Sequence, residues 1–132
     1  MGQSTSLRHV LIIDDDPIFV QILRAFFQSI GVDKISMAPD GKAAHSILTG
    51  DDTPVDFITC DIFMPDFDGI ELIEALKTVG SKAPFLIISS ASATIASAAE
   101  TLAKAHELNC IGRLGKPLDM PGLESAVAQA AR

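Results

Sequence analysis

The chain has 132 residues, enough for one domain that buries roughly two-thirds of its unfolded surface, and its 17 acidic against 10 basic side chains leave a formal charge of −7. That balance argues against direct nucleic-acid binding, which needs a lysine and arginine stripe over phosphate, and it suits a cation site. No apolar run reaches the ~18 residues of a membrane span, and the amino terminus lacks the basic-then-apolar pattern of an export signal.

Residues 1–7 read as a disordered leader, followed by a single domain over 8–132. Val10-Leu11-Ile12-Ile13 is a continuous apolar run, as expected of a strand covered on both faces, and it stops at Asp14-Asp15-Asp16-Pro17. Asp16 before Pro17 predicts an N-cap and a first-turn proline. The helix after it repeats Phe19, Ile22, Leu23, Phe26 and Ile30, and ends at Gly31. A weaker strand is predicted at Lys34–Met37, then an Asp40-Gly41 turn and a short helix carrying Ala44, Ile47 and Leu48. After a solvated turn at Asp51-Asp52, Phe57-Ile58-Thr59-Cys60 is a buried strand that stops at Asp61. A Pro-, Asp- and Gly-containing turn follows, through Met64-Pro65 and Asp68-Gly69. The next helix starts near Gly69 with Ile70, Leu72, Ile73 and Leu76 on its inner side, and leaves through Gly80 and Pro84. Phe85–Ile88 is a further buried strand ending in Ser89-Ser90. An alanine-rich helix is predicted over Thr94–Leu108, with Ile95, Ala98, Ala99, Leu102 and Ala105 inward. Cys110–Leu114 is the last strand, ending in Gly115-Lys116-Pro117, and Met120, Leu123 and Val127 mark a closing helix. Strands and helices alternate five times, which calls for an α/β fold: a doubly wound parallel sheet with right-handed crossovers and helices on both faces.

Ligands bind at the carboxyl edge of such a sheet. Four of the five strands deliver a polar residue there after an apolar run: Asp14 and Asp15, Asp61, Ser89, and Lys116. Taken alone, Asp61 reads as a nucleophile, a metal ligand or a polar cap on a loop. Three carboxylates in one pocket repel each other and raise one another's pKa values, and a divalent cation relieves that repulsion. An oxygen-only donor set favours magnesium, which keeps several waters and leaves room for phosphoryl oxygens. With a lysine and a hydroxyl added, the set suits a tetrahedral dianion beside a carboxylate.

The motifs Asp14-Asp15, Asp61 with Met64-Pro65 and Asp68-Gly69 behind it, Ser89, and Lys116-Pro117 stand in an order and spacing that resembles the receiver (chemotaxis-regulator-like) domain of two-component response regulators. The resemblance covers Arg8 to Ala131. It implies a (βα)5 flavodoxin-like fold with strand order 2-1-3-4-5, in which Asp61 accepts a phosphoryl group from a phosphohistidine on a sensor histidine kinase or histidine phosphotransfer protein. It implies Mg2+, with Mn2+ as a substitute, held by Asp15, Asp61, Asp14 through water, and the Phe63 backbone carbonyl. It implies catalytic support from Lys116 and Ser89, a cis Lys116–Pro117 peptide, and a switching surface made of the fourth helix, last strand and fifth helix. Such a domain is cytoplasmic, catalyses only its own phosphorylation and dephosphorylation, and binds no membrane. Its partners extend to an effector domain or protein, and to a second copy of itself on phosphorylation. The segment from His106 to Pro117 is similar to receivers that precede cyclic-di-GMP phosphodiesterase domains, while no output domain is read in this chain.

Several positions depart from the family pattern. Ser89 stands where threonine is commoner, and Ser90 where alanine or glycine is usual. Arg113 occupies a switch position that often holds an aromatic, and a guanidinium does not readily bury in the space Ser89 would vacate. Phe63, two past Asp61, would shield the acyl phosphate from water. The stretch from Ser89 to Lys116 is a few residues longer than usual. The remaining candidates read as ordinary structure: Asp56, Asp66 and Asp68 as loop residues, Cys60 and Cys110 as buried reduced thiols, and His9, His45 and His106 as surface histidines. The rival from another class is a haloacid dehalogenase-type phosphatase using Asp14 in its Asp14-x-Asp16 motif. It leaves Asp61 unexplained and lacks the carboxylate pair required after the lysine. A phosphorylation-independent interaction module is the third reading.

Overall fold

The computed structural model describes residues 5–50, 53–64 and 67–131, with only the backbone described at 63, 64 and 67–70. The turn expected at Asp51-Asp52, and Pro65-Asp66 within the turn after Asp61, lie outside the described residues. Five strands form one parallel sheet: β1 (His9–Ile13), β2 (Lys34–Ala38), β3 (Phe57–Cys60), β4 (Phe85–Ser89) and β5 (Cys110–Gly115). Their spatial order is β2-β1-β3-β4-β5. The helices are α1 (Pro17–Ser29), α2 (Gly41–Gly50), α3 (Gly69–Thr78), α4 (Ala93–Ala105) and α5 (Met120–Ala130). A two-residue ribbon pairing Phe63 with Asp68 and Met64 with Phe67 was not expected from the sequence.

Alternation along the strands divides the core in two. Leu11, Ile13, Ile58, Cys60, Phe85 and Ile87 face α2, α3 and α4, where Leu72, Ile73, Leu76 and Ala99 meet them. Val10, Ile12, Phe57, Leu86 and Ile88 face α1 and α5, against Phe19, Leu23, Phe27 and Leu123. Both faces are covered, so β1, β3 and β4 are buried at every residue and carry mostly apolar side chains, His9, Thr59 and Ser89 excepted. The side on which successive strands are added to the sheet switches between β1 and β3, and the crevice at that switch lies between Asp14 and Asp61.

Helix ends are set by local chemistry. Asp16 accepts hydrogen bonds from the Ile18 and Phe19 N–H groups, with Pro17 at the first helical position. At the far end of α1, Gly31 adopts φ +90° while its N–H bonds Gln28 O and the Val32 N–H bonds Phe27 O, each at 3.1 Å. This is a Schellman closure, which needs the left-handed backbone that glycine adopts without strain. α4 closes in the same way, Glu107 N–H to Lys104 O and Leu108 N–H to Ala103 O at 3.0 Å, but with Glu107 at φ +62°.

Four expectations are corrected. The leader does not run to residue 7: Leu7 is 3% exposed and belongs to the core against which Ile30, Ala130 and Ala131 pack, while the Ser6 hydroxyl donates to Ala131 O at 2.7 Å. His9 is fully buried rather than exposed, with Nδ1 2.9 Å from the Thr53 carbonyl and Nε2 2.7 Å from Ser36 Oγ. A carbonyl only accepts, so the ring carries its proton on Nδ1. On α1 the inward face takes Val20 and Phe27, leaving Ile22 exposed. α4 ends at Ala105 rather than Leu108 and turns Ala96, Ala99 and Ala103 inward, leaving Ile95, Ala98 and Ala105 outside. Met120 of α5 is also exposed.

Candidate functional site

β1 and β3 run parallel in register, Ile13 beside Cys60, and the next residue of each is the carboxylate at the crevice. The Asp61 N–H bonds Ile13 O at 2.9 Å and the Asp14 N–H bonds Ala38 O at 3.0 Å, which carries the ladder one step past the strands and fixes both backbones. Asp14 and Asp61 are each 4% exposed, whereas Asp15 faces solvent. Carboxylate oxygens of Asp14, Asp15 and Asp61 all lie within 4.8 Å of one another. A hard divalent cation with oxygen ligands fits that donor set.

Lys116, just past β5, reaches across the edge. Its Nζ donates to Asp14 Oδ2 at 3.0 Å and to Asp61 Oδ2 at 3.1 Å, and sits 4.3 Å from the centroid of the Phe19 ring. The Lys116–Pro117 peptide is cis. Burial pushes the Asp14 carboxyl above its usual 3.8, against the Asp16 N–H and the Lys116 ammonium, which pull it down; the charge of Asp61 adds to the rise. For Lys116, burial works to lower the ammonium, but the hydrogen bond to Asp14 and the charges of Asp61 and Asp14 outweigh it and leave it above 10.5. Lys116 is therefore a firm cation poised between two acids.

Ser89 is 3% exposed at the end of β4, two residues past Ile87, the register partner of Cys60. Its hydroxyl oxygen accepts from the Ala91 N–H at 3.1 Å, so it is turned onto its own loop. Arg113 lies outside this pocket. Its Nε donates to Glu100 Oε1 at 3.2 Å, and Glu100 also holds Lys104 at 3.3 Å, an ion-pair group joining β5 to α4 at the surface. Phe63 belongs to the small ribbon, and its side chain is outside the described residues.

The fold thus gathers Asp14, Asp15, Asp61 and Lys116, places Ser89 at the same edge and keeps Arg113 apart. Asp16 is committed to capping α1, which leaves the Asp14-x-Asp16 phosphatase motif without its second free acid. Asp56 does more than line a loop, since its two oxygens accept the Arg8 and His9 N–H groups at 2.9 and 3.2 Å and tie the start of β1 to β3. Phe19 was legible only as core. Its contact with Lys116 follows from its place in the first turn of α1, directly after the Asp16 cap. Cys60 and Cys110 are free and buried as expected, and burial foremost, then the neighbouring Asp61 charge, pushes the Cys60 thiol well above 9.0.

Residues 10–128 match the family model of the response regulator receiver domain. Regulator of RpoS from Escherichia coli (strain K12) is 36% identical over 90 residues, covering 68% of this chain and 26% of that protein. The transcriptional regulatory protein ZraR of Klebsiella oxytoca is 30% identical over 121 residues, 92% of this chain and again 26% of its own length. The chain thus spans about a quarter of these curated relatives. Among solved structures, a response regulator from Colwellia psychrerythraea superposes with a TM-score of 0.77 at 27% identity, covering 95% of this chain and 97% of that one. A complex of CheX with CheY, BeF3 and Mg+2 from Borrelia burgdorferi gives 0.78 at 26% identity, with 92% and 87% covered. With its five-stranded order and its acidic edge, the chain belongs to the response regulator receiver domain family.

Proposed function

We propose that this protein is the phosphoacceptor of a two-component His-Asp phosphorelay, taking a phosphoryl group from a phosphohistidine onto Asp61. The observation that carries the reading is Lys116 Nζ bonded to both Asp14 and Asp61 beside a third carboxylate, at the switch point of the sheet. An Asp61 oxygen attacks phosphorus in line, the P–N bond to the donor imidazole breaks, and the electron pair returns to that ring nitrogen. Charge spreads over the three equatorial oxygens as this happens, and Lys116, already placed and desolvated, neutralises part of it without reorganising. Asp14, Asp15, Asp61 and the Phe63 carbonyl would hold Mg2+, or Mn2+ in its place, and that ion when bound supplies the remaining positive charge.

The acyl phosphate carries roughly two negative charges near neutral pH. Its oxygens accept the proton of the Ser89 hydroxyl, which the Ala91 N–H leaves available because it bonds only the Ser89 oxygen, and recruiting Ser89 draws the 89–92 loop and the start of α4 inward. The surface of α4, β5 and α5 changes as a result. Arg113, held outward by Glu100, leaves that change without an aromatic swing. Ile18 and Ile22, 74% and 47% exposed on α1 next to the acidic edge, offer an apolar strip to the helix of a sensor histidine kinase or histidine phosphotransfer protein. Two buried free thiols suit a cytoplasmic setting, and no described helix is long and apolar enough to cross a membrane. An effector, cyclic-di-GMP-related or other, and a phosphorylation-dependent homodimer complete the reading.

Treatment with acetyl phosphate and magnesium followed by mass spectrometry tests it. A single phosphoryl group on Asp61, absent from Asp61→Asn, is the expected result. Sustained hydrolysis of varied phosphoesters dependent on Asp14, or partner binding indifferent to Asp61→Asn, would replace it with the phosphatase or the interaction-module reading.

A further inference from the structure

Among the described residues, one buried side-chain polar atom has no hydrogen-bond partner: Thr59 Oγ1, on a residue 1% exposed. An unsatisfied hydroxyl in an apolar interior is destabilising, and valine would fill the same space without that cost. The position of the hydroxyl is specific. On β3, Ile58 and Cys60 face the α2, α3 and α4 side, while Phe57 faces α1 and α5. Alternation therefore turns Thr59 and Asp61 to the same side as Phe57. Asp14 shares that side with Val10 and Ile12, and Phe19, beneath the Lys116 ammonium, belongs to it. Thr59 pairs in register with Ile12 on β1 and Leu86 on β4. Its hydroxyl thus lies in the floor of the acidic site, one side-chain step below Asp61 and flanked by apolar strands.

Side chains two apart on a strand share a face, about 6.6 Å apart at the backbone, and one water bonded to the hydroxyl below and to carboxylate oxygens above would link them. Such a water needs two to four polar partners, and Thr59, Asp61 and Asp14 provide them.

We propose that Thr59 is a positioning residue for Asp61, acting through a single buried water that donates to the carboxylate; the inference rests on Asp61 being the phosphoacceptor. Its effect falls on loss of the phosphoryl group. When water attacks phosphorus, the bond from phosphorus to the Asp61 oxygen breaks, its electron pair returns to the carboxylate, and the attacking water releases its proton to solvent. A donor beneath the carboxylate stabilises the returning charge and speeds this step, so Thr59 shortens the signal.

The test compares acyl-phosphate half-lives after removal of acetyl phosphate, in magnesium, for wild type, Thr59→Val and Thr59→Ser. Thr59→Val keeps the shape and removes the hydroxyl; its half-life should lengthen about fivefold, the rate equivalent of one hydrogen bond of roughly 1 kcal/mol. Thr59→Ser keeps the hydroxyl and opens a methyl-sized gap; it should decay like wild type. Equal half-lives for Thr59→Val and wild type, a shorter one for Thr59→Val, or a change shared by both variants would overturn the proposal while leaving Asp61 as acceptor. Wild type that takes up no phosphoryl group on Asp61 would remove both.

Discussion

Lys116 rests its ammonium 4.3 Å from the centre of the Phe19 ring while bonding two carboxylates, so a residue of the first helix sets the position of a cation delivered by the last strand. Phe19→Leu keeps an apolar side chain of similar bulk and removes the ring face, worth about 0.5–2 kcal/mol to a partly desolvated cation. Phosphorylation by acetyl phosphate should slow about two- to thirtyfold. Lys116→Met should slow it far more, because both acids then lose their ammonium. Equal rates for Phe19→Leu and wild type would show that the two carboxylates alone hold the lysine.

The acidic site should cost stability that a cation returns. Asp14 is held above its usual value chiefly by burial, so its charged form is disfavoured in the fold. An acid with a raised folded-state pKa contributes stability at low pH, which is lost as pH climbs from 3.8 through that raised value. At neutral pH, Asp14→Asn is therefore expected to raise the urea midpoint. Magnesium at ten times its Kd should stabilise wild type by about 1.4 kcal/mol and the variant by less. Midpoints measured with and without the ion decide it.

Glu107 holds a left-handed backbone at the C-terminal closure of α4, where α1 and α3 use Gly31 and Gly80. Glu107→Gly is expected to stabilise the fold by about 0.5–1 kcal/mol, read as a rise in thermal midpoint. A fall would mean that the lost rigidity of the unfolded chain outweighs the relieved strain.

Residues 5–7 are structural. Leu7 is buried in the core that holds α1 and α5, and Ser6 bonds the Ala131 carbonyl. Leu7→Ala should cost about 2 kcal/mol, the low end for a buried leucine. Amide exchange in the last turn of α5 should quicken more than exchange in α3.

Burial first raises the Cys110 thiol above 9.0. The unfolded state therefore releases this proton earlier, and stability should decline as pH rises from 9.0 through the folded value. Cys110→Ser should flatten that decline, as followed by chemical unfolding at a series of alkaline pH values.

Strand ends, helix caps and the residues of the acidic edge were legible in the sequence because each is a local event: an apolar run broken by a charge, or an aspartate before a proline. Helix phase was less so. α1 carries isoleucine or phenylalanine on most sides, and α4 is so rich in alanine that a small rotation changes little in its periodicity, hence the misplacement of Ile22 and Ile95. His9 was misread because nothing in its neighbours announces that the Thr53 carbonyl and the Ser36 hydroxyl will close over its ring. Thr59 hid for the opposite reason: a β-branched residue in a strand looks ordinary until its hydroxyl is left with no partner.

The bond from Lys116 to Asp14 spans 102 positions of chain and that to Asp61 spans 55. No peptide cut from this protein can carry the chemistry, since the reactants meet only after every crossover is in place. Chemical competence at this edge therefore doubles as an assay of completed folding, and a variant that assembles four strands but not the fifth should be silent, not merely slow.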